Sequence, residues 1–226
     1  MARKKPYDDG CATAHALDLI GERWALLIVR ELVPGPKRFS DLRAALPGIS
    51  TNILTNRLSD LETTHILIRR QLPPPAPAWV YELTPWGLAL EPLIQELGRW
   101  AARSPGLIAG KPMSPASIML SFRTMFDPER AGSMQASLSL VMNGLAHRIR
   151  IEAGELSIEL GKAIDPDVHM DGDPNLVAGI VYGEMSLDEA RAAGLTITGE
   201  EAVLHKFVTL FPLPPTAPET CSVTRD

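Results

Sequence analysis

Asn52, Asn56, Ser59 and Thr63 recur at helical spacing within the run FSDLRAALPGISTNILTNRLSDLETT, residues 39–64. Carboxamide and hydroxyl side chains on one helix face can hydrogen-bond base edges and phosphates without ordering a long chain. On chemistry alone, Asn52, Thr55 and Asn56 are the expected base readers. Lys37 and Arg38 come just before this run and Arg69 and Arg70 just after it. Arg38, Ser50, Thr51, Arg69 and Arg70 are expected at phosphates or the minor groove, with Lys37 as a further cation at the turn. Arg57 lies nearer the apolar side, so it is expected to brace its helix as much as to touch DNA.

The elements that position these groups are legible in the same stretch. Ile53, Leu54, Leu58 and Leu61 are expected on the core side of the second helix. Ser50 is a natural N-cap, Ile49 and Leu54 occupy the staple positions around it, and Pro47-Gly48 breaks the chain between the helices. Two β-prone runs follow, LIRRQL (67–72) and WVYEL (79–83), with PPPAPA between them as a stiff tip. A basic hairpin directly after a helix-turn-helix is the arrangement of a winged helix. Thr84-Pro85 then caps a helix expected to run from Trp86 to about Arg103, with Leu90, Leu93, Ile94, Leu97 and Trp100 available for packing. Together with an N-terminal helix bearing Leu17, Ile20 and Trp24, it offers more apolar surface than one small domain hides, which predicts a homodimer.

The chain from Cys11 to Trp100 resembles the HxlR-type winged-helix transcription regulators, relatives of the MarR group. The resemblance rests on Cys11, LIGERW (19–24) followed by LLIVREL, GPKRFSDL (35–42), LPGIS (46–50), LTNRL (54–58) and YELTPWG (81–87). It implies a regulator that binds double-stranded DNA at an inverted-repeat operator. The family usually carries a glycine where Thr64-His65 stand, so His65 is expected in a left-handed turn. Some members of the family sense electrophiles or oxidants through a cysteine at the position of Cys11. A helix start beside Cys11 favours the thiolate, Asp8 and Asp9 oppose it, and the preferred reading is a small buried residue at the dimer interface.

Composition bounds the rest. A net charge of −5 argues against a nucleic-acid binder until it is divided: 13 Lys and Arg stand against 11 Asp and Glu through residue 105, and 9 against 16 beyond it. DNA affinity comes from locally placed cations, so the first half is the one suited to DNA, with Lys4 and Lys5 on an N-terminal arm. Two cysteines, Cys11 and Cys221, make no disulfide framework, and MARKKPYDDG lacks the apolar core of a secretory signal. No apolar run is long enough to span a bilayer. The expected compartment is the cytoplasm, with no membrane partner.

Beyond SPGLIAGKPMSP (104–115) the pattern changes. A helix over 116–126, strands over 134–142, 146–152 and 156–160, helices opening at Asp173-Pro174 and Ser186, a strand at 195–198 and a helix over 200–211 predict a small, mostly antiparallel sheet. The run from Val168 to Phe211 resembles the sterol-carrier-protein-type lipid-binding fold. That resemblance implies an apolar tunnel for a fatty or sterol-like molecule, with Met119, Phe122, Phe126, Leu138, Met142, Phe207 and Phe211 as its candidate lining. Taken singly, each of these residues reads more readily as core.

Enzyme signatures fail. Asp167, His169, Asp171 and Gly172 begin like a calcium loop, but Ala178 stands where the closing glutamate is needed. No phosphate loop, nucleophile elbow, dinucleotide fingerprint or paired histidine motif is present. No cofactor or metal is expected. The predicted fold is α+β: a winged helix-turn-helix domain (1–104), a linker (105–115), a sterol-carrier-like domain (116–213) and a flexible tail (214–226). The predicted function is a DNA-binding regulator, a repressor, that responds to an apolar small molecule. The alternatives are a thiol sensor acting through Cys11, or a lipid-carrier or interaction module whose winged helix does not bind DNA.

Overall fold

Alternating apolar positions and strong caps set the elements, and a computed structural model describes them for residues 6–73, 77–108 and 110–218. Lys4, Lys5, the centre of the proline-rich tip (74–76) and Cys221 lie outside the described residues. The chain divides into two compact units, Met1–Ile94 and Gln95–Asp226.

In the first unit, α1 (Ala12–Ile20), α2 (Ala25–Leu32), α3 (Phe39–Ala45) and α4 (Thr51–Thr63) precede a hairpin of β1 (Leu67–Gln71) and β2 (Trp79–Leu83), then α5 (Pro85–Leu88). Ile28, Val29 and Leu32 of α2 meet Leu54, Leu58 and Leu61 of α4 in one core, closed below by the cross-strand pair Leu67 and Leu83. Lys37 adds a bridge to the outer side of β2, exchanging backbone hydrogen bonds with Tyr81 at 3.0 and 2.8 Å. His65 takes the left-handed conformation, φ 58°, that turns the chain from α4 into β1. Gly87 cannot be replaced without movement, because a Cβ there would lie 2.0 Å from the carbonyl oxygen of Ile66.

Two expectations change here. The N-terminal helix ends at Ile20, and Trp24 is instead the N-cap of α2 in a left-handed conformation, φ 81°. The helix expected over 86–103 is two helices, α5 and α6 (Glu91–Ala101), separated by a turn at Ala89-Leu90. Pro92 is the reason: it lacks the amide a continuous helix needs and its ring crowds the carbonyl one turn back, so it is tolerated only in the first turn of a new helix. The division between the units falls within α6, upstream of the glycine- and proline-rich 104–115 segment.

The second unit is built on a five-stranded sheet in the order β5-β4-β3-β6-β7. Its strands are β3 (Ala136–Met142), β4 (Leu145–Glu152), β5 (Glu155–Leu160), β6 (Val168–Gly172) and β7 (Thr196–Gly199). Among the described residues only β3 and β6 pair in parallel. Two-residue turns at Asn143-Gly144 (φ 50° and 75°) and Ala153-Gly154 (φ 52° and 77°) join β3, β4 and β5, with the positive φ values a type I′ turn requires. The helices are α7 (Pro115–Met125), the short α8 (Pro128–Ala131), α9 (Pro174–Tyr182), α10 (Leu187–Ala192) and α11 (Glu201–Val208). Ser114, Asp127, Asp173 and Ser186 cap the first four by accepting backbone amides. The last helix stops three residues before Phe211, because Pro212 pushes its predecessor out of helical geometry.

Alternate residues of β3, β4 and β6 (Leu138, Leu140, Met142, Ile149, Ile151, Val168, Met170) point into one core with Phe122 of α7 and Phe207 of α11. The stretch that begins like a calcium loop is strand β6, and Asp167 just before it accepts the backbone N–H of Ser137 at 2.7 Å. Among the described residues no cluster of three or more His, Cys, Asp or Glu could hold a metal, and no helix is long and apolar enough to cross a membrane.

Candidate DNA-contact surface

Helix α4 carries the expected polar face. The Ser50 hydroxyl accepts the Ile53 amide at 3.3 Å, fixing the first turn. Thr51, Asn52, Thr55 and Ser59 are exposed and Asn56 is half-buried. The Thr55 and Thr63 hydroxyls donate back to the carbonyls of Thr51 and Ser59, at 2.9 and 2.8 Å. Among the described residues no hydrogen bond within the chain occupies the amides of Asn52 and Asn56. Each offers an open donor and an open acceptor on that face.

Ile53 corrects the sequence reading. It was expected on the core side with Leu54, Leu58 and Leu61, yet it is 41% exposed. The three leucines centre the buried stripe, and one residue before Leu54 the helix has turned by roughly 100°, which puts Ile53 on the flank of the polar face.

The basic groups divide sharply by what holds them. Lys37 does not extend outward: its ammonium donates to Glu31 at 2.8 Å, and Glu31 has no exposed side-chain surface. The Arg30 guanidinium donates to the other Glu31 oxygen at 2.9 Å, so a buried carboxylate is clasped from both sides. Lys37 therefore braces the turn into α3. Arg57 pairs with Asp60 at 2.6 Å and Glu22 at 3.6 Å, tying α4 to the residues before α2. Arg38, at the N-cap of α3, is exposed, and its backbone N–H donates to Asp41 at 3.3 Å.

On the wing, Arg69 lies with its guanidinium carbon 4.6 Å from the centroid of the Trp79 ring. Arg70 donates through Nε to Glu82 on the facing strand. Sequence reasoning treated the two arginines as equivalent, because their partners appear only once the strands are in register.

Cys11 is the N-cap of α1 and is exposed in the single chain. Hydrogen bonds from the backbone and hydroxyl of Thr13, and from the backbone of Ala14, hold its thiol below the ordinary range. Asp9, expected to oppose the thiolate, accepts the Cys11 backbone amide at 2.9 Å.

Known proteins give this arrangement a family. A sequence profile described as HxlR-like helix-turn-helix matches residues 19–106. The "uncharacterized HTH-type transcriptional regulator YvaP" of Bacillus subtilis is 40% identical over 87 residues, covering 38% of this chain and 80% of YvaP. The chain belongs to the HxlR-like helix-turn-helix family. The HTH-type transcriptional regulator YodB of the same organism is 41% identical over 86 residues, 38% of this chain and 77% of YodB. Among solved structures, the reduced form of YodB is 36% identical and covers 43% of this chain and 97% of that one, with a TM-score of 0.39. Helix-turn-helix regulators of this family bind DNA and act as dimers. The HxlR match includes α4, the wing and α6, so every open group described above except Cys11 falls within it.

The candidate ligand residues of the second unit share one interior. Met119, Phe122, Leu138, Met142, Phe207 and Phe211 are buried in a single core, with Phe126 packed against it. Phe122 stacks on Phe211 at 4.4 Å between centroids and meets Phe207 edge-on at 5.5 Å, and Phe207 meets Phe211 at 5.0 Å. The Tyr182 hydroxyl at the margin donates to Ser121 at 2.9 Å, and burial pushes its pKa well above the ordinary value.

Proposed function

We propose that the chain is a homodimeric transcriptional repressor of the cytoplasm. Residues 1–104 read an inverted-repeat operator, and 116–213 form a sterol-carrier-like domain that holds an apolar effector. The observation that carries the DNA half is the pair of uncommitted amides, Asn52 and Asn56, on the polar face of the recognition helix. A carboxamide offers donor and acceptor together, which suits the two adjacent groups of adenine in the major groove. Thr51, Thr55 and Ser50 border them, and Arg38 and the wing supply cations toward phosphates. Lys37 and Arg57 act by holding the elements in place.

Dimer formation is supported by the outward stripe of α6. Leu93, Leu97 and Trp100 lie on one side of the helix and Trp100 is 73% exposed, while Ile94 packs inward. Pairing such stripes across a two-fold axis sets the half-site spacing. Support for the effector half is the convergence of seven candidate residues on one apolar interior. Because the rings of Phe122, Phe207 and Phe211 pack on each other, an effector enters by parting them. Linkage then requires effector and operator to change each other's affinity by the same factor.

The test is titration of the full chain with DNA enriched from a random duplex pool, at two salt concentrations. The expected result is an inverted repeat, a steep salt dependence, and loss of sequence preference in Asn52→Ala and Asn56→Ala. A chain that enriches no duplex is a carrier or interaction module instead. For the effector, Leu138→Gln or Phe207→Gln removes the response and leaves DNA binding intact. Failure of a panel of fatty acids, isoprenoids and flat polycycles to raise the melting temperature removes the effector from the scheme.

A second reading rests on Cys11, whose N-cap position and exposure suit a thiol sensor. Its lowered pKa means that more thiolate exists at neutral pH than for a free cysteine, since the thiolate fraction rises as pH passes the pKa. Iodoacetamide labelling of Cys11 therefore reaches half-maximal rate at a lower pH than in an unfolded control. Coincident profiles exclude the sensor.

A further inference from the structure

The wing brings four side chains into two pairs that the sequence separates by about ten residues. In the β1–β2 register Arg69 faces Tyr81 and Gln71 faces Trp79, so Arg69 and Trp79 are diagonal neighbours on one face. Ile68 faces Glu82 and Arg70 faces Val80, which makes Arg70 and Glu82 diagonal neighbours on the other. The first pair is a cation over a ring, with Arg69 exposed and Trp79 51% exposed. The second is an ion pair, closed by a hydrogen bond from Arg70 Nε to Glu82.

These pairs have opposite consequences for an anionic partner. An indole face is attractive to a guanidinium but carries no net charge, so Arg69 keeps its full charge and all of its N–H donors at the edge of its plane. The ring also removes rotamers, so less freedom is lost when that edge is bound. Glu82, by contrast, takes one donor of Arg70 and cancels its charge. The wing therefore presents a polyanion with one working cation on one face and one neutral pair on the other.

Resting on the DNA-binding reading above, we propose that Arg69 alone is the wing's reader of the narrow, electronegative minor groove beside each half-site. Trp79 is its positioning residue, and Glu82 withdraws Arg70 from the DNA. A flat guanidinium held on edge fits between the walls of a groove narrowed by A·T pairs, where the negative potential is strongest. The wing therefore adds a preference for A·T-rich flanks to the sequence read by α4.

The experiment uses the full chain and a duplex that the wild type enriches from a random pool, prepared with A·T-rich and with G·C-rich flanks. Wild type binds the A·T-flanked form more tightly. Arg69→Ala weakens binding by about tenfold and abolishes the flank preference, the scale of one lost specific contact. Trp79→Ala reduces the flank preference, and Trp79→Phe, which keeps a ring under the guanidinium, restores most of it. Arg70→Ala changes affinity by less than about threefold, as expected for a cation already paired. Glu82→Gln tightens binding to both duplexes and steepens the salt slope by about one, because it returns a cation to the wing. All four positions are on the exposed or half-exposed wing, and equal melting temperatures verify that each variant folds. Arg70→Ala losing as much as Arg69→Ala overturns the proposal, as does a Trp79→Ala chain with full flank preference or a Glu82→Gln chain with an unchanged salt slope. A wild-type chain that enriches no duplex overturns the DNA-binding reading together with it. Enrichment with Arg69→Ala and Trp79→Ala both matching wild type overturns this proposal alone.

Discussion

The two units use most of their large and polar side chains in different ways, although Trp100 of α6 is an exposed ring within the second. The first leaves Trp79 and Trp86 on its surface and keeps the Asn52 and Asn56 amides open. The second turns Phe122, Phe207 and Phe211 inward, where they occupy one another. A surface that must meet another molecule carries unsatisfied groups and exposed rings, whereas an interior satisfies its own. The difference explains why the first unit declares its function more readily than the second.

The strongest way to sharpen this contrast is to remove a ring from the second unit. Phe122→Ala deletes the centre of the aromatic cluster and should cost about 3–5 kcal/mol, read as a shift of the urea midpoint. The contrast would break if that loss were under about 1 kcal/mol, because the rings would then be loosely packed. Next comes the one place where the first unit hides its chemistry. Lys37→Met leaves the buried Glu31 carboxylate with Arg30 as its remaining charge partner among those described, and should cost about 2–3 kcal/mol of stability. DNA affinity measured on the folded fraction should change less than in Arg38→Ala. Asn52→Ala inverts the pattern: about 1–3 kcal/mol of base discrimination is lost while stability stays within roughly 0.5 kcal/mol. The smallest effect is Ser50→Ala, about 1 kcal/mol from the lost cap, measured by thermal unfolding.

Local signals carried much of the first unit. The Ser50 cap and the two wing runs each act within a few residues, and each appears where its chemistry demands. His65 shows that even a departure from a usual glycine could be read, because the turn constrained the backbone whatever residue occupied it. What local pattern could not supply were partners distant in sequence. Glu31 and Lys37 are six residues apart and Arg70 and Glu82 twelve, and both pairings depend on how the chain returns on itself. The break before Pro92 was legible in principle, since proline forbids the continuous helix assumed there. Ile53 falls outside the buried stripe because a run of three leucines leaves the edge of the face ambiguous by one residue. In the second unit the strands and caps followed from alternation and from Asp-Pro and Ser signals. Asn143-Gly144 is a two-residue turn signal of the same local kind. Whether apolar residues line a tunnel or fill a core does not depend on their spacing, so the pattern was silent on that question.

The sheet of the second unit ends in β5 on one side and β7 on the other. An edge strand offers unpaired amides and carbonyls to any passing strand, which is how domains precipitate at high concentration. Here β7 is only four residues long and ends in glycine, while β5 carries Glu155 and Glu159, both exposed. Glu159 is held by Arg148 of the neighbouring strand, so Glu155 is the carboxylate that a second copy pairing along β5 would have to face. A short β7 and a charged β5 both disfavour self-templating, which makes the sheet a poor seed for fibres.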